Sequence, residues 1–211
     1  MQNIEIKIRP DQQVWFTSDQ HFGHKNIIKY CNRPFADTFA MDCWIRNSWN
    51  EVVEDNDIVF ILGDITMFPD AHKIKKLLDE LKGEQIYIIP GNHDKVDKGF
   101  RLLKDRYDGQ NDHQSSKEPS RYTILHDITR VKFLGHELGN VEVVCSHIPL
   151  MTWPGRDKNI PNLFGHVHSG PRCTNDGFDT NLPFWKNMYD VGVDNNDYTP
   201  INLKEIFDKI K

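Results

Sequence analysis

Five short apolar runs, each stopping abruptly at a polar or glycine residue, constrain this chain more than any other feature. They are Val14-Trp15-Phe16 into Thr17-Ser18-Asp19; Ile58-Val59-Phe60-Ile61-Leu62 into Gly63-Asp64; and Ile86-Tyr87-Ile88-Ile89-Pro90 into Gly91-Asn92-His93-Asp94. Later come Val141-Glu142-Val143-Val144-Cys145 into Ser146-His147, and Asn162-Leu163-Phe164 into Gly165-His166-Val167-His168. Runs of this length, rich in β-branched and aromatic residues, read as strands buried on both faces. Helical patterns lie between them, at Met41 to Val53 and at Ala71 to Leu81, where Ile74, Leu77, Leu78 and Leu81 recur at i, i+3, i+4 and i+7. Strands and helices in alternation predict an α/β architecture. Near the end, Asn202-Leu203-Lys204-Glu205 forms a capping-box pattern that opens a short packing helix. The polar stretch over residues 108–122 has no periodicity and is expected to form a surface loop or insertion within a single domain spanning residues 1–211.

The residues just past each run are chemically uniform. Asp19 and His21 come after the first, Asp64 after the second, Asn92 and His93 after the third, His147 after the fourth, and His166 and His168 after the fifth. In open α/β sheets, sites form outside the carboxyl ends of the strands, so residues this far apart in sequence can converge in space. A lone histidine is more often a surface or core residue than a ligand. Here half of the 10 histidines stand at strand ends beside Asp19, Asp64 and Asn92, an arrangement suited to metal binding. Gly63, Gly91 and Gly165 adjoin the same positions, where a missing Cβ permits close backbone approach.

Composition limits the partners. With 26 basic against 31 acidic side chains the net charge is -5, which argues against bulk electrostatic binding to long nucleic acid or to an anionic membrane. No apolar run approaches the ~18 residues needed to span a bilayer. Cys31, Cys43, Cys145 and Cys173 form no CxxC pair, which points to free thiols in a reducing, cytoplasmic compartment.

Taken in order, Asp19-Gln20-His21, Gly63-Asp64, Gly91-Asn92-His93-Asp94, the isolated His147 and Gly165-His166-Val167-His168 resemble the five-block signature of the calcineurin-like metallophosphoesterase superfamily. The first block, extended through Phe22-Gly23-His24-Lys25-Asn26-Ile27-Ile28 and followed by Cys31-Asn32-Arg33-Pro34-Phe35, is similar to that of small single-domain bacterial and phage-type members. The resemblance implies a four-layer α/β/β/α sandwich with two mixed sheets. It also implies a two-metal centre in which Asp19, His21 and His168 bind one ion, Asn92, His147 and His166 bind the other, and Asp64 bridges both.

Mixed imidazole, carboxylate and amide ligands suit manganese, iron, zinc, nickel or cobalt better than calcium or magnesium, with Mn²⁺ first among them. By the same resemblance a metal-bound hydroxide attacks phosphorus, assisted at the site by Asp64 and Asn92, while His93 acts as general acid toward the leaving oxygen. Two divalent ions, two carboxylates and a hydroxide leave a local charge of about +1, opposite in sign to the chain as a whole.

The protein-phosphatase branch carries a second Asp three residues after the bridging one. Here that position is Met67, which leaves the partner of His93 open and counts against protein phosphatase activity. His24, Arg33 and Arg156 are candidate substrate-binding residues, the arginines because a guanidinium fork matches a phosphate. His72, His113, His126 and His136 read as surface residues, Trp15, Trp44 and Trp49 as core, and Trp153 and Trp185 as candidates for the pocket border. The expected activity is hydrolysis of a small phosphomonoester or phosphodiester, nucleotides included. The alternatives are a nuclease of the same superfamily and a non-catalytic binding module with the same fold.

Overall fold

A computed structural model describes residues 1–96, 121–169 and 186–210. Two mixed five-stranded sheets pack against each other. The first sheet holds β2 (Val14–Thr17), β3 (Ile58–Ile61), β4 (Gln85–Ile88) and β5 (Tyr122–Ile124) in parallel, with the short β10 (Ile201–Asn202) antiparallel along β2. The second runs β1 (Gln2–Lys7), β6 (Ile128–His136), β7 (Gly139–Ser146), β8 (Asn162–Phe164) and β9 (Met188–Asp190). Only the β6–β7 pair in it is antiparallel.

The strand expectation is met at its centre. Every residue of β3 is buried; Ile58 and Phe60 face the layer between the sheets, while Val59 and Ile61 face the helices. Aromatic rings fill the inter-sheet layer, with Phe60 stacked between Phe16 at 5.0 Å and Tyr87 at 4.9 Å. Outside the first sheet lie α1 (Lys25–Tyr30), α2 (Thr38–Val52) and α3 (Ala71–Glu80), which bury Met41, Ile45, Trp49, Ile74, Leu77 and Leu78. Beyond the second sheet, Trp153 of the 150–160 connection packs on Val144, Phe164 and Met188. The terminal helix α5 (Leu203–Ile210) is entered through Asn202, whose Oδ1 accepts the Lys204 amide at 2.9 Å, and it buries Leu203 and Ile206.

Several sequence expectations are corrected. Helix α2 begins before Met41 because the Asp37 carboxylate caps it, accepting the Ala40 amide at 2.8 Å. Trp44 is 57% exposed, since the face that turns inward carries Met41, Ile45 and Trp49. Trp153 is buried as core and donates Nε1–H to the Ile160 carbonyl. His136, the last residue of β6, is buried and its Nδ1 accepts the Leu138 amide. The polar stretch over 108–122 ends earlier than expected, because Tyr122 is a buried residue of β5. The rest of that stretch to residue 120, together with His113, Cys173 and Trp185, lies outside the described residues. Cys43 and Cys145 are free thiols, and among the described residues no helix is long and apolar enough to cross a membrane.

Candidate metal centre

The carboxyl ends of β2, β3, β4, β7 and β8 meet at one edge of the sandwich. Backbone hydrogen bonds lock the loops to one another: the Asp19 amide donates to the Gly63 carbonyl, the His21 amide to the Asp64 carbonyl, and the Gly165 amide to the His147 carbonyl, at 3.0, 3.0 and 2.9 Å. Asp19, His21, Asp64, His166 and His168 all have left-handed backbones, with φ between 48° and 73°. Non-glycine residues rarely adopt that conformation, and it recurs at functional sites where surrounding structure enforces it.

Two sets of ligand atoms result. Asp19, His21 and His168 lie together, as do Asp64, His147 and His166, each set within 4.8 Å. Asn92, at the start of α4 (Asn92–Val96), joins the second set with its Oδ1 2.9 Å from His147 Nε2. Asp64 stands between the sets, its Oδ2 3.6 Å from His21 Nε2 and 3.5 Å from His147 Nε2.

Two of the imidazoles are oriented from behind, so that Nε2 faces inward. His147 Nδ1 lies 2.8 Å from the Leu62 carbonyl, and His168 Nδ1 lies 2.7 Å from Asp194 Oδ2. Such an outer partner fixes the tautomer and ring plane of a metal-binding histidine.

Two atoms decide whether the residues fit a cation. Asp19 Oδ1 and His21 Nε2 are buried and have no hydrogen-bond partner among the described residues. Unpaired buried polar atoms cost free energy that a metal bond recovers. Burial also pushes the His21 imidazole well below its ordinary range, leaving it neutral and able to donate a lone pair. Burial opposes the charge on Asp64 and on His147 alike. Their mutual contact outweighs it, bringing the Asp64 carboxyl down to about 2 and, with the charge of Asp19, His147 up to about 9. The chain thus places a proton of its own where positive charge is needed, and a cation would displace it.

The glycines match this packing. A Cβ on Gly91 would fall 2.0 Å from Asp64 Oδ1, one on Gly165 2.0 Å from Ser18 Oγ, and one on Gly63 2.6 Å from His147 Nδ1. None of the three can carry a side chain without moving a residue of the site.

His93 lies at the rim with its side chain 38% exposed, its Nε2 4.0 Å from Asp64 Oδ2 and its ring 5.2 Å from that of His21. His24 precedes α1; its Nδ1 lies 3.4 Å from His21 Nδ1 and its ring 6.1 Å from that of His93. Met67 is 36% exposed.

Arg33 is placed differently from expectation. Arg33 is buried, with its guanidinium bonded to Asp194, to the Asp19 and Gln20 carbonyls and to Met41 Sδ, which leaves no fork for a substrate. Arg156 donates to the Met151 carbonyl and lies over the Trp153 ring at 5.1 Å, within its own connection.

Three residues that the strand-end reading assigned no role complete the frame. Asp94 accepts backbone amides of Asp64, Ile65 and Gly91. Asp190 accepts the Gly192 amide and both the amide and hydroxyl of Ser169. Asp194 joins His168 to Arg33.

A family model described as calcineurin-like phosphoesterase matches residues 13–198. An uncharacterized protein of Methanocaldococcus jannaschii is 41% identical over 55% of this chain, and the match spans 65% of that protein, a little under two thirds of its length. The Gene 66 protein of Mycobacterium phage L5 is 29% identical over 74% of this chain and 77% of its own. The crystal structure of a protein of unknown function from Aquifex aeolicus covers 95% of this chain and 100% of its own at a TM-score of 0.61 and 21% identity, a likeness of fold.

Proposed function

This chain belongs to the calcineurin-like phosphoesterase family, and from that premise we propose that it is a dinuclear metal-dependent phosphohydrolase acting on a small phosphomonoester or phosphodiester, nucleotides included. The observation that carries the reading is the pair of buried, unpartnered ligand atoms, Asp19 Oδ1 and His21 Nε2, set beside the shared Asp64 carboxylate.

Asp19, His21 and His168 would hold one ion, Asn92, His147 and His166 the other, with Asp64 common to both. Bound there, a pair of divalent cations supplies Lewis-acid charge and an acidified water. The residues do the rest. Leu62 and Asp194 keep the Nε2 atoms of His147 and His168 turned inward. The Asp64 carboxylate stays ionised throughout the neutral range, because its contact with His147 outweighs the cost of burial.

Asn92 and His166 are exposed whereas Asp19, His21, Asp64 and His147 are buried, so a phosphoryl group approaches from the Asn92 and His166 side. His93, half-exposed on the same α4 turn as Asn92, gives its proton to the departing oxygen, and His24 lines the rim beside it. The net charge of -5 supports a small ester over long DNA, whose binding relies on an extended basic surface.

The test is a metal-by-substrate matrix. Protein stripped of metal and reconstituted under reducing conditions with Mn²⁺, Ni²⁺, Zn²⁺, Mg²⁺ or Fe²⁺ is assayed on generic phosphomonoesters and phosphodiesters, cyclic nucleotides and oligonucleotides. Hydrolysis of small esters with Mn²⁺ is expected. Activity confined to oligonucleotides would replace this reading with a nuclease, and inactivity on everything with a binding module.

A further inference from the structure

We propose that Arg33 and Asp194 form a positioning yoke that governs one metal position, the one built from Asp19, His21 and His168, and leaves the other unaffected. The inference rests on the two-metal reading above.

Arg33 lies just before Pro34 in the stretch after α1, and Asp194 lies past β9, 161 residues further along the chain. Their side chains are 0% and 2% exposed. Arg33 donates Nε–H to Asp194 Oδ1 at 2.9 Å and Nη2–H to Asp194 Oδ2 at 2.8 Å, a bidentate fork. The remaining donors reach the Asp19 carbonyl at 2.7 Å, the Gln20 carbonyl at 2.9 Å and Met41 Sδ at 3.4 Å. One guanidinium therefore fixes the loop that carries Asp19 and His21 and, through the Asp194 carboxylate, the imidazole of His168. Every residue of the first set is tied to this one buried pair.

Among the described residues no buried guanidinium–carboxylate pair orients the imidazoles of the second set. His147 is oriented by the Leu62 carbonyl, the Asp64 backbone is held by Asp94, and His166 is anchored through its amide to Asp19 Oδ2. The loops of the two sets are hydrogen-bonded to one another, but their imidazoles are oriented by different partners, Asp194 for His168 and the Leu62 carbonyl for His147, and it is this orientation that makes the two affinities separable.

Cys31, His168 and Asp194 also cluster closely enough to suggest a third metal position. The carboxylate of Asp194 is already engaged on both oxygens by the permanently charged Arg33 guanidinium and on one by His168, which leaves it little capacity to bind an extra cation. The cluster is better explained as the yoke.

The experiment uses the full chain stripped of metal and titrated with Mn²⁺ alone, followed by calorimetry and electron paramagnetic resonance, with circular dichroism to verify the fold. Wild type is expected to take up two ions with the signature of a spin-coupled pair. Asp194→Asn keeps the side-chain shape but removes the charge that joins His168 to Arg33. It is expected to weaken one equivalent about 10- to 100-fold, leave the other unchanged, and give an isolated-ion signal at one equivalent. Asp194→Glu keeps the charge but displaces it by a methylene, and takes the place of the Asn variant if that one does not fold. Both equivalents weakened together, or neither weakened, in a folded variant overturns the yoke. A wild type that takes up fewer than two ions overturns the two-metal reading on which it stands.

Discussion

The Asp94 carboxylate holds the backbone of Asp64: its Oδ2 accepts the Asp64 amide at 2.7 Å. The same carboxylate accepts the Ile65 amide at 3.1 Å and the Gly91 amide at 2.9 Å, so the loops after β3 and β4 close on one buried group. Asp64 in turn accepts the His93 amide on Oδ1, which leaves Oδ2 directed between the two ligand sets. Asp94→Ala would leave three amides unsatisfied. It is expected to cost about 3 kcal/mol in chemical denaturation, and to lower kcat at least 10-fold in the protein that remains folded, because Asp64 is no longer held in its left-handed conformation.

Gly91 makes a sharper test of the same contact, since a methyl group there is the smallest possible intrusion. Its Cβ would stand 2.0 Å from Asp64 Oδ1 and 2.5 Å from the Asp64 amide nitrogen. A Cβ on Gly139, at φ +86°, would meet nothing within 4 Å, so that position serves as the comparison. Gly91→Ala is expected to lose bound metal and activity. Gly139→Ala should cost only about 1 kcal/mol from its backbone conformation and keep both. Metal content of the two purified variants decides it.

Much of this was legible in the sequence because the strands that matter are also the most hydrophobic. The runs through Val59, Ile88 and Val144 are buried on both faces, and a parallel strand of that kind both shows itself in the sequence and ends at the functional edge. What escaped is the weakly patterned part. Strand β9 is only Met188-Tyr189-Asp190 and contains no β-branched residue, so Asp190 and Asp194 gave no strand-end signal. Yet Asp190-Val191-Gly192-Val193-Asp194 repeats the Gly and Asp pattern of the earlier blocks, and that pattern could have found them. Arg33 carries a guanidinium fork that matches a phosphate, but no one-dimensional pattern tells a buried guanidinium from one offered to a substrate. Size alone does not place Trp44 in the core, since Met41, Ile45 and Trp49 define the inward face of α2.

His93 separates chemistry from metal binding. It lies beside Asp64 yet belongs to neither ligand cluster, and its side chain is accessible from outside. His93→Ala is expected to retain its metal and lose activity by about 10²- to 10⁴-fold, the usual range for a general acid. The defect should shrink on esters with a better leaving group. A variant that comes out metal-free, with the loss of metal accounting for the rate, would move His93 into the ligand set.

Asp42 provides a pH test away from the ligands. Burial pushes its carboxyl from 3.8 to about 6, against the Gly23 amide that both its oxygens accept at 3.1 Å. Because the folded pKa lies above the unfolded one, the native state binds the extra proton. Its stabilising share is present below about pH 4 and is lost as pH rises to about 6. Asp42→Asn keeps an acceptor for Gly23 without the charge. It is expected to be about 1 kcal/mol more stable than wild type above about pH 7, an effect limited by solvent at the partly exposed carboxylate, with the gap closing toward about pH 4. Melting temperatures of both proteins across that range measure it.

A pair of cations in the Asp19 to His168 constellation is proposed to carry the hydrolysis. The most direct measurement is the rate on a generic phosphodiester as chelator-stripped protein receives Mn²⁺ one equivalent at a time, with bound metal quantified at each step. No activity is expected without metal, and the rate is expected to follow the second equivalent. An undiminished rate in protein verified to be metal-free would contradict it.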